Sequence, residues 1–431
     1  MGLKITVIGG GSSYTPELFA DLAAQTEPLD VEEVVLMDPN TERAAFVAGV
    51  SEKLVKASGQ DIKVTGTSNI EEAISGADFV ILQIRVGGLT ARVRDEKIPM
   101  ELGMVGNETA GAGGFVCALR TVTATMEIAR AVERLSPDAW VLNLSNPAGI
   151  VTEALLKNTT LKALGFCNIP INTTYALAEV LGVSPAKVQL DSFGLNHLSW
   201  VRRVFVDGEE RLQPLLAETY DPESILYQRG IVDDFMEPDF LRALALIPSW
   251  YVRYFYFPEQ TLEEDRRAAQ SKGEKDMQAE ARLHEIFSKT GYDDEATRIL
   301  ASKGGAQYYL PVLQAIHAIL NDRGDVIVAD VRNGTTLPDL PPDVCVEVPA
   351  RIYRGHIEPL PIGAMPLSVR GLVQTVKAYE ELTIQAALSG SRDIAIEALM
   401  ANPLVGSFGK ASRFFEHVLE NERTYIPQFY K

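Results

Sequence analysis

Cysteine and histidine are scarce in this 431-residue chain, which has three of the first and five of the second. Cys117, Cys167 and Cys345 form an odd set with no close spacing. That excludes a disulfide framework and fits a reducing compartment. Basic charge is also in deficit: 40 Lys and Arg stand against 58 Asp and Glu, a formal net charge of -18. No broad surface can neutralise a phosphate backbone, so nucleic acid is excluded as a partner. A few local arginines can still hold a small anion. No apolar run reaches membrane-spanning length, and a strand-like "LKITVIGG" follows Met1 and Gly2 with no signal-like segment before it. A cytoplasmic protein with no membrane partner is expected. Repeats, low-complexity tracts and flexible linkers are missing as well.

What is present is an ordinary globular composition, 46% hydrophobic and 23% charged, in a chain longer than one usual domain. Short apolar strands alternate with helical stretches through the first part: Lys4 to Gly10, Glu32 to Asp38, "IKVTGT", Ala77 to Ile84, Ala139 to Pro147 and Leu161 to Cys167. Continuous apolar strands separated by helices imply an α/β fold, a doubly wound parallel sheet of the Rossmann type. After about residue 170 the pattern changes. Lys187 to Gly208 alternates like antiparallel strands, helices dominate from about Glu223 to Leu320, and Gly324 to Ile352 reads as strands around a Pro/Gly-rich turn. The expected division is 1–170 for a dinucleotide-binding domain and 171–431 for a mixed α+β domain packed on it.

"VIGGGSSYTPEL" lies between the first strand and a helix. Gly9 and Gly11 fit the first two glycines of the dinucleotide fingerprint, where a tight turn lets backbone approach a pyrophosphate at a helix N-terminus. Tyr14 stands where the third glycine belongs. Asp38 ends the second strand, where a carboxylate accepts hydrogen bonds from ribose hydroxyls and repels a 2′-phosphate, favouring NAD over NADP. A plain βα loop and a helix-capping aspartate are the bland alternatives, and Arg43 nearby softens the preference.

Cys167 ends a strand at the carboxyl edge of the sheet, the edge at which open α/β folds bind ligands. A lone cysteine is commonly a small buried hydrophobe, and a lone histidine a packed hydrogen-bonding group. Together, Cys167 and His197 suit a divalent transition ion with several positions left open for an oxygen-chelating substrate. Asn143 and Asn146 lie at another strand end. Arg85, Arg92 and Arg94 form a local positive cluster, either an anion clamp or the partner of Asp95 and Glu96. The glycine-rich "GNETAGAGGF" would let backbone lie against a ligand, with Glu108 as a site acid or a surface one. "IPSWYVRYFYFP" holds Tyr251, Tyr254 and Tyr256, core aromatics unless a cation lowers one phenol enough to act as a base.

In order along the chain, "VIGGGSSYTPEL", "QIRVGGL", "GNETAGAGGF", "NLSNPAG", "CNIP", "GLNHLSW" and "IPSWYVRYFYF" resemble family 4 of the glycoside hydrolases, the NAD- and metal-dependent glycosidases. "KGGAQYY" and "LPPDVCVEVP" continue the likeness weakly. The resemblance implies a redox-assisted elimination, outside the two-carboxylate scheme of most glycosidases. NAD+ takes hydride from C3 of the sugar, a divalent ion, commonly Mn2+, polarises the C2 and C3 oxygens, and a tyrosine removes the C2 proton. The bond from C1 to the leaving group then breaks, water adds, and the hydride returns. It further implies Cys167 and His197 as metal ligands and Tyr251 as the base, with Tyr254 open. Gly9, Gly11, Ser12 and Asp38 become NAD contacts, Asn146 and Asn168 sugar-hydroxyl contacts, and Arg92 a phosphate ligand. Asn168 directly after the cysteine resembles the 6-phospho-β-glucosidase branch. A homodimer or homotetramer is implied too.

One departure stands out. Related phosphoglucosidases show a Thr-Arg pair opening a helix where this chain has Glu274-Lys275, so a point charge replaces a guanidinium or the substrate differs. Two other readings compete. A malate/lactate-type 2-hydroxyacid dehydrogenase shares the glycine turn, the ribose acid and an Asn-Pro motif, but "NHLSW" and "GHIEP" fit its histidine context poorly. A non-catalytic NAD- or sugar-binding protein predicts binding without turnover.

Overall fold

The computed structural model describes residues 2–212, 215–216, 223–305 and 307–430. Six parallel strands alternate with helices: β1 Leu3–Ile8, α1 Thr15–Ala23, β2 Val31–Met37, α2 Thr41–Ser58, β3 Lys63–Thr67, α3 Ile70–Ile74, β4 Phe79–Leu82, α4 Gly88–Glu101, α5 Gly111–Leu135, β5 Trp140–Asn143, α6 Ala148–Asn158, β6 Lys162–Gly165 and α7 Asn168–Leu181. The apolar strand runs have a direct cause. Ile5, Val7, Leu36, Phe79, Ile81 and Leu142 pack into one core, whereas Ile8, Val35, Met37, Val80, Leu82 and Val141 pack into another. Alternate residues thus bury opposite faces of one sheet, as helices on both sides require.

That sheet runs past residue 170. β11 Asp325–Arg332, β12 Cys345–Ile352 and β13 Ile357–Pro359 extend it antiparallel beyond β6, giving the order β13-β12-β11-β6-β5-β4-β1-β2-β3. A second sheet holds β7 Val188–Leu195, β8 Leu198–Val206, β9 Glu209–Glu210 and β10 Ile247–Pro248. Between β7 and β8 the chain reverses in only two residues, Asn196 and His197.

Two helices differ from the sequence expectation. α4 spans the arginine cluster, its buried face made polar by Asp95 and Glu96. α5 begins at Gly111, eight residues before the expected start near Leu119. Of the glycines of "GNETAGAGGF", Gly111, Gly113 and Gly114 therefore open a helix, whereas Gly106 lies along the cleft. A Cβ on Gly113 would sit 2.2 Å from the Asn107 carbonyl oxygen and 2.3 Å from that of Asp95, so only glycine lets α5 close against α4 and the segment that follows it.

The three cysteines are free thiols. Among the described residues no helix is long and apolar enough to cross a membrane.

On α1, Glu17 Oε2 and Asp21 Oδ2 are buried without a hydrogen-bond partner. Burial, then the Asp21 charge, pushes Glu17 up to about 8, and burial pushes Asp21 up to about 6. The folded chain holds these protons more tightly than the unfolded one. The Glu17 contribution is complete below its ordinary value of 4.5 and is lost as pH rises through about 8; that of Asp21 is complete below 3.8 and lost through about 6. Glu17→Gln should therefore raise stability at pH 8.5 by about 1–3 kcal/mol and change it little at pH 4.5. Equal shifts in melting temperature at the two pH values would refute this.

Candidate active site

The site starts where the strand order reverses, between β1 and β4. The N–H groups of Gly9 and Gly10 both donate to the Met37 carbonyl at 2.9 and 2.8 Å, drawing the ends of β1 and β2 together. Gly9 has φ of 88°, and a Cβ there would lie 2.6 Å from the Gln83 carbonyl oxygen, so the turn takes only glycine. Tyr14 caps α1 in place of the third glycine, and its ring stacks on Tyr308 at 4.9 Å. Asp38 is not a helix cap: Asn40 caps α2, and the Asn40 N–H donates to Asp38 Oδ1 at 2.9 Å.

Across the same cleft, Cys167 caps α7, its sulfur accepting from the Ile169 N–H at 3.5 Å. His197 sits on the two-residue reversal with φ of 65°, the left-handed region that most side chains avoid. Its Nε2 comes to 3.5 Å from Cys167 Sγ. Tyr251 stacks face to face on the imidazole, ring centroids 3.9 Å apart and planes 10° from parallel. Burial pushes the Cys167 thiol up, with Glu347 and Asp330 adding to it, and pushes His197 down to about 4. The imidazole is thus neutral, the form that ligates metals. A separation of 3.5 Å is one that a single ion bonded to each donor at about 2.0–2.3 Å can bridge. Among the described residues no third His, Cys, Asp or Glu joins them as a metal cluster. Remaining positions of such an ion would fall to substrate or water.

Asn196 holds the reversal from behind, its amide donating to the buried Glu347 carboxylate at 2.9 Å. Asn196→Ala should cost about 1–3 kcal/mol of stability, by removing a buried hydrogen bond and leaving that carboxyl to Ser199, and should shrink the rise in melting temperature that Mn2+ gives. A full Mn2+ shift in the variant would show that the reversal is held without it.

The two tyrosine candidates separate here. Both line the cleft: Tyr251 stacks on the imidazole, whereas Tyr254 is the more buried of the two and accepts from Asn107 Nδ2 at 2.8 Å. Asn146 precedes a cis proline, and its carbonyl accepts from Cys117 Sγ at 3.5 Å. Asn168 donates to the Gly304 carbonyl at 2.6 Å. Arg92 is held by three carboxylates, Glu96 at 2.8 Å, Glu108 at 3.0 Å and Asp276 at 2.7 Å, while Arg85 pairs with Glu108. Burial alone would raise Glu108; the two guanidiniums outweigh it and hold the carboxyl below its ordinary value. Arg94 pairs with Glu422 at 2.6 Å, away from the cleft. Lys275 is exposed, lines the cleft and makes no ion pair among the described residues.

One cleft of about 960 Å³ gathers Gly9, Ser12, Asp38, Arg92, Asn146, Cys167, Asn168, His197 and Tyr251. Gly11 stays off its wall. The same cleft takes in Lys303 and Tyr308 of "KGGAQYY" and Glu280, to which the sequence reading gave no role. Glu347 of "LPPDVCVEVP" supports it from below. Only the weak family likeness of those two segments marked Lys303, Tyr308 and Glu347, and nothing marked Glu280.

A glycine turn at the switch point of a doubly wound sheet, facing a thiol–imidazole pair across one cleft, defines a dinucleotide-binding enzyme with room for a cation and an organic substrate. Residues 4–183 match the model of the family 4 glycosyl hydrolases, and residues 192–405 that of the family 4 glycosyl hydrolase C-terminal domain. The chain belongs to family 4 of the glycosyl hydrolases. It is 37% identical to a probable 6-phospho-β-glucosidase of Bacillus subtilis, over 100% of this chain and 98% of that protein. It is 29% identical to a phospho-α-glucosidase of Clostridium acetobutylicum, over 98% of each. The 6-phospho-β-glucosidase of Thermotoga maritima, solved with manganese, NAD+ and glucose-6-phosphate, superposes with a TM-score of 0.88 at 30% identity, covering 98% of this chain and 99% of that one. A malate dehydrogenase of Plasmodium falciparum reaches a TM-score of 0.51 at 16% identity, a likeness of fold alone. The dehydrogenase reading thus gives way to family 4.

Proposed function

We propose that this enzyme hydrolyses β-linked 6-phosphoglucosides with bound NAD+ and Mn2+ or another divalent ion. The observation that carries the reading is the Cys167–His197 pair, capped by the Tyr251 ring and facing the glycine turn across one cleft. The residues present suit both groups: a glycine-only turn for a pyrophosphate, and a thiol with a neutral imidazole for an ion. When bound, NAD+ supplies reversible hydride transfer at C3 of the sugar, and the ion polarises the C2 and C3 oxygens.

The chain's own part is to bind, orient and move protons. Gly9, Ser12 and Asp38 hold the dinucleotide, with Asp38 on the ribose, and Gly11 keeps the turn beside Asp38 free of a side chain. Cys167 and His197 hold the ion. Tyr251 removes the proton at C2, and the Asn146 and Asn168 amides fix sugar hydroxyls. Lys275 meets the 6-phosphate as an unpaired charge, and Arg92, locked among carboxylates, contributes field and shape beside it. Residues 1–170 carry the dinucleotide, with Cys167 at their end, and residues 171–431 supply His197, Tyr251 and Lys275. The likeness to phosphosugar enzymes and three free thiols support a cytoplasmic setting. Family resemblance supports a homodimer or homotetramer.

The test is hydrolysis of paired chromogenic α- and β-glucosides, each with and without a 6-phosphate, given NAD+, Mn2+ and a thiol reductant. Cleavage of the phosphorylated β-glucoside without accumulation of NADH is expected. NADH rising in step with substrate would point to a dehydrogenase, and equal cleavage without the phosphate would remove the phosphosugar assignment.

A further inference from the structure

Asp38 and Arg43 give opposite instructions to a dinucleotide. The carboxylate at the end of β2 suits ribose hydroxyls, whereas an arginine beside it can accommodate a 2′-phosphate. They share one corner: a Cβ on Gly11 would lie 2.6 Å from Asp38 Oδ2 and 2.9 Å from Arg43 Cγ, and Arg43 Nε donates to the Gly11 carbonyl at 2.6 Å. A third group enters from the helix Lys272–Lys289. Glu280 Oε1 lies 3.4 Å from Arg43 Nη2, 3.4 Å from Ser13 Oγ and 3.9 Å from Lys303 Nζ. Lys303 is buried, donates to Ser13 Oγ at 3.2 Å and has its ammonium 4.8 Å from the Tyr14 ring centroid.

We propose that Glu280 is a cofactor-specificity residue, which occupies Arg43 and Lys303 and so denies a 2′-phosphate its cationic contacts. This rests on the reading of the cleft as a dinucleotide site. Half-exposed pairs such as Arg43–Glu280 add little stability. The consequence lies in which anion Arg43 is free to meet. Asp38 and Glu280 balance Arg43 and Lys303, so the corner carries no net positive charge to attract a 2′-phosphate. Without the Glu280 charge, two cations face Asp38 alone. Specificity then comes from a placed repulsion as well as from the ribose contact.

The experiment measures NAD+ and NADP+ affinities by isothermal titration, without sugar or metal, for wild type, Glu280→Gln and the double variant Glu280→Gln with Arg43→Ala. Glutamine keeps the shape of glutamate, and melting curves check that each variant is folded. The ratio of NADP+ to NAD+ affinity should rise about tenfold in Glu280→Gln, and the double variant should lose that gain. A ratio within twofold of wild type in Glu280→Gln overturns the proposal, as does a gain that survives loss of Arg43. If wild type binds neither dinucleotide, the cofactor reading itself fails and takes this inference with it. If it binds NAD+ and the ratio does not move, only this inference fails.

Discussion

Cys167→Ser should reduce Mn2+-dependent glycoside hydrolysis by about a thousandfold or more, while NAD+ binding stays within about twofold of wild type. The reason is the chemistry of two donors. Sulfur and imidazole nitrogen stand 3.5 Å apart, and among the described residues no third His, Cys, Asp or Glu completes a metal cluster with them. Serine is close in size but offers a hard, protonated oxygen, a poor substitute for thiolate toward a transition ion. With one of two protein ligands gone, the ion has little to hold it against water. The nucleotide should scarcely notice. Gly9 is held by Met37 and packs on Gln83, contacts that do not involve Cys167. Mn2+ titration of activity, alongside NAD+ titration by calorimetry, separates the two effects. Full activity of the serine variant under chelation would remove Cys167 from the metal site.

The first sheet is legible in the sequence because both its faces are buried. The strand "FVIL" is continuously apolar, "WVLN" is so up to its final asparagine, and glycine at the first turn is demanded by backbone contact with Gln83. Cys167 is legible for a related reason: a strand end at the carboxyl edge of such a sheet is where ligands collect. The remainder depends on contacts between distant segments. β11 to β13 pair beyond β6, and no local pattern says which edge they join. α4 hides because its buried face is charged. Asp95 and Glu96 are satisfied by Arg120 and Arg92, so the hydrophobic period that betrays most helices is missing. His197 was reachable as a candidate ligand through its residue type beside Cys167 and through family likeness, not through any local structural pattern. Its left-handed backbone on a two-residue reversal leaves one faint mark, the asparagine before it, a residue type common in tight hairpins. Arg92 shows the same limit from the other side. An arginine cluster predicts an anion site, yet two of the three carboxylates around this arginine, Glu108 and Asp276, come from outside α4.

Tyr251→Phe is the sharpest test of the chemistry, because it removes one oxygen and little else. Phenylalanine can keep the stack on His197, so the imidazole should hold its place and NAD+ and Mn2+ should bind as before. The rate of hydrolysis should fall by about 10²–10⁴, and exchange of the substrate C2 proton with solvent should be suppressed in parallel. The environment explains why this phenol needs help. Burial raises its pKa, the neighbouring Cys167 and Glu108 charges raise it further, and Arg92 and a hydrogen bond from the Thr109 side chain oppose them. At neutral pH the phenol therefore keeps its proton until a positive charge arrives beside it, and Cys167 and His197 would place a divalent ion there. Base and metal would thus act as one unit, and their losses should be less than additive in the Cys167→Ser, Tyr251→Phe double variant. Tyr254→Phe is the matched control. It forfeits the hydrogen bond from Asn107, at a cost of about 1 kcal/mol in stability, and should leave C2 exchange nearly intact. Normal exchange in Tyr251→Phe with loss in Tyr254→Phe would transfer the role to Tyr254, which lines the same cleft.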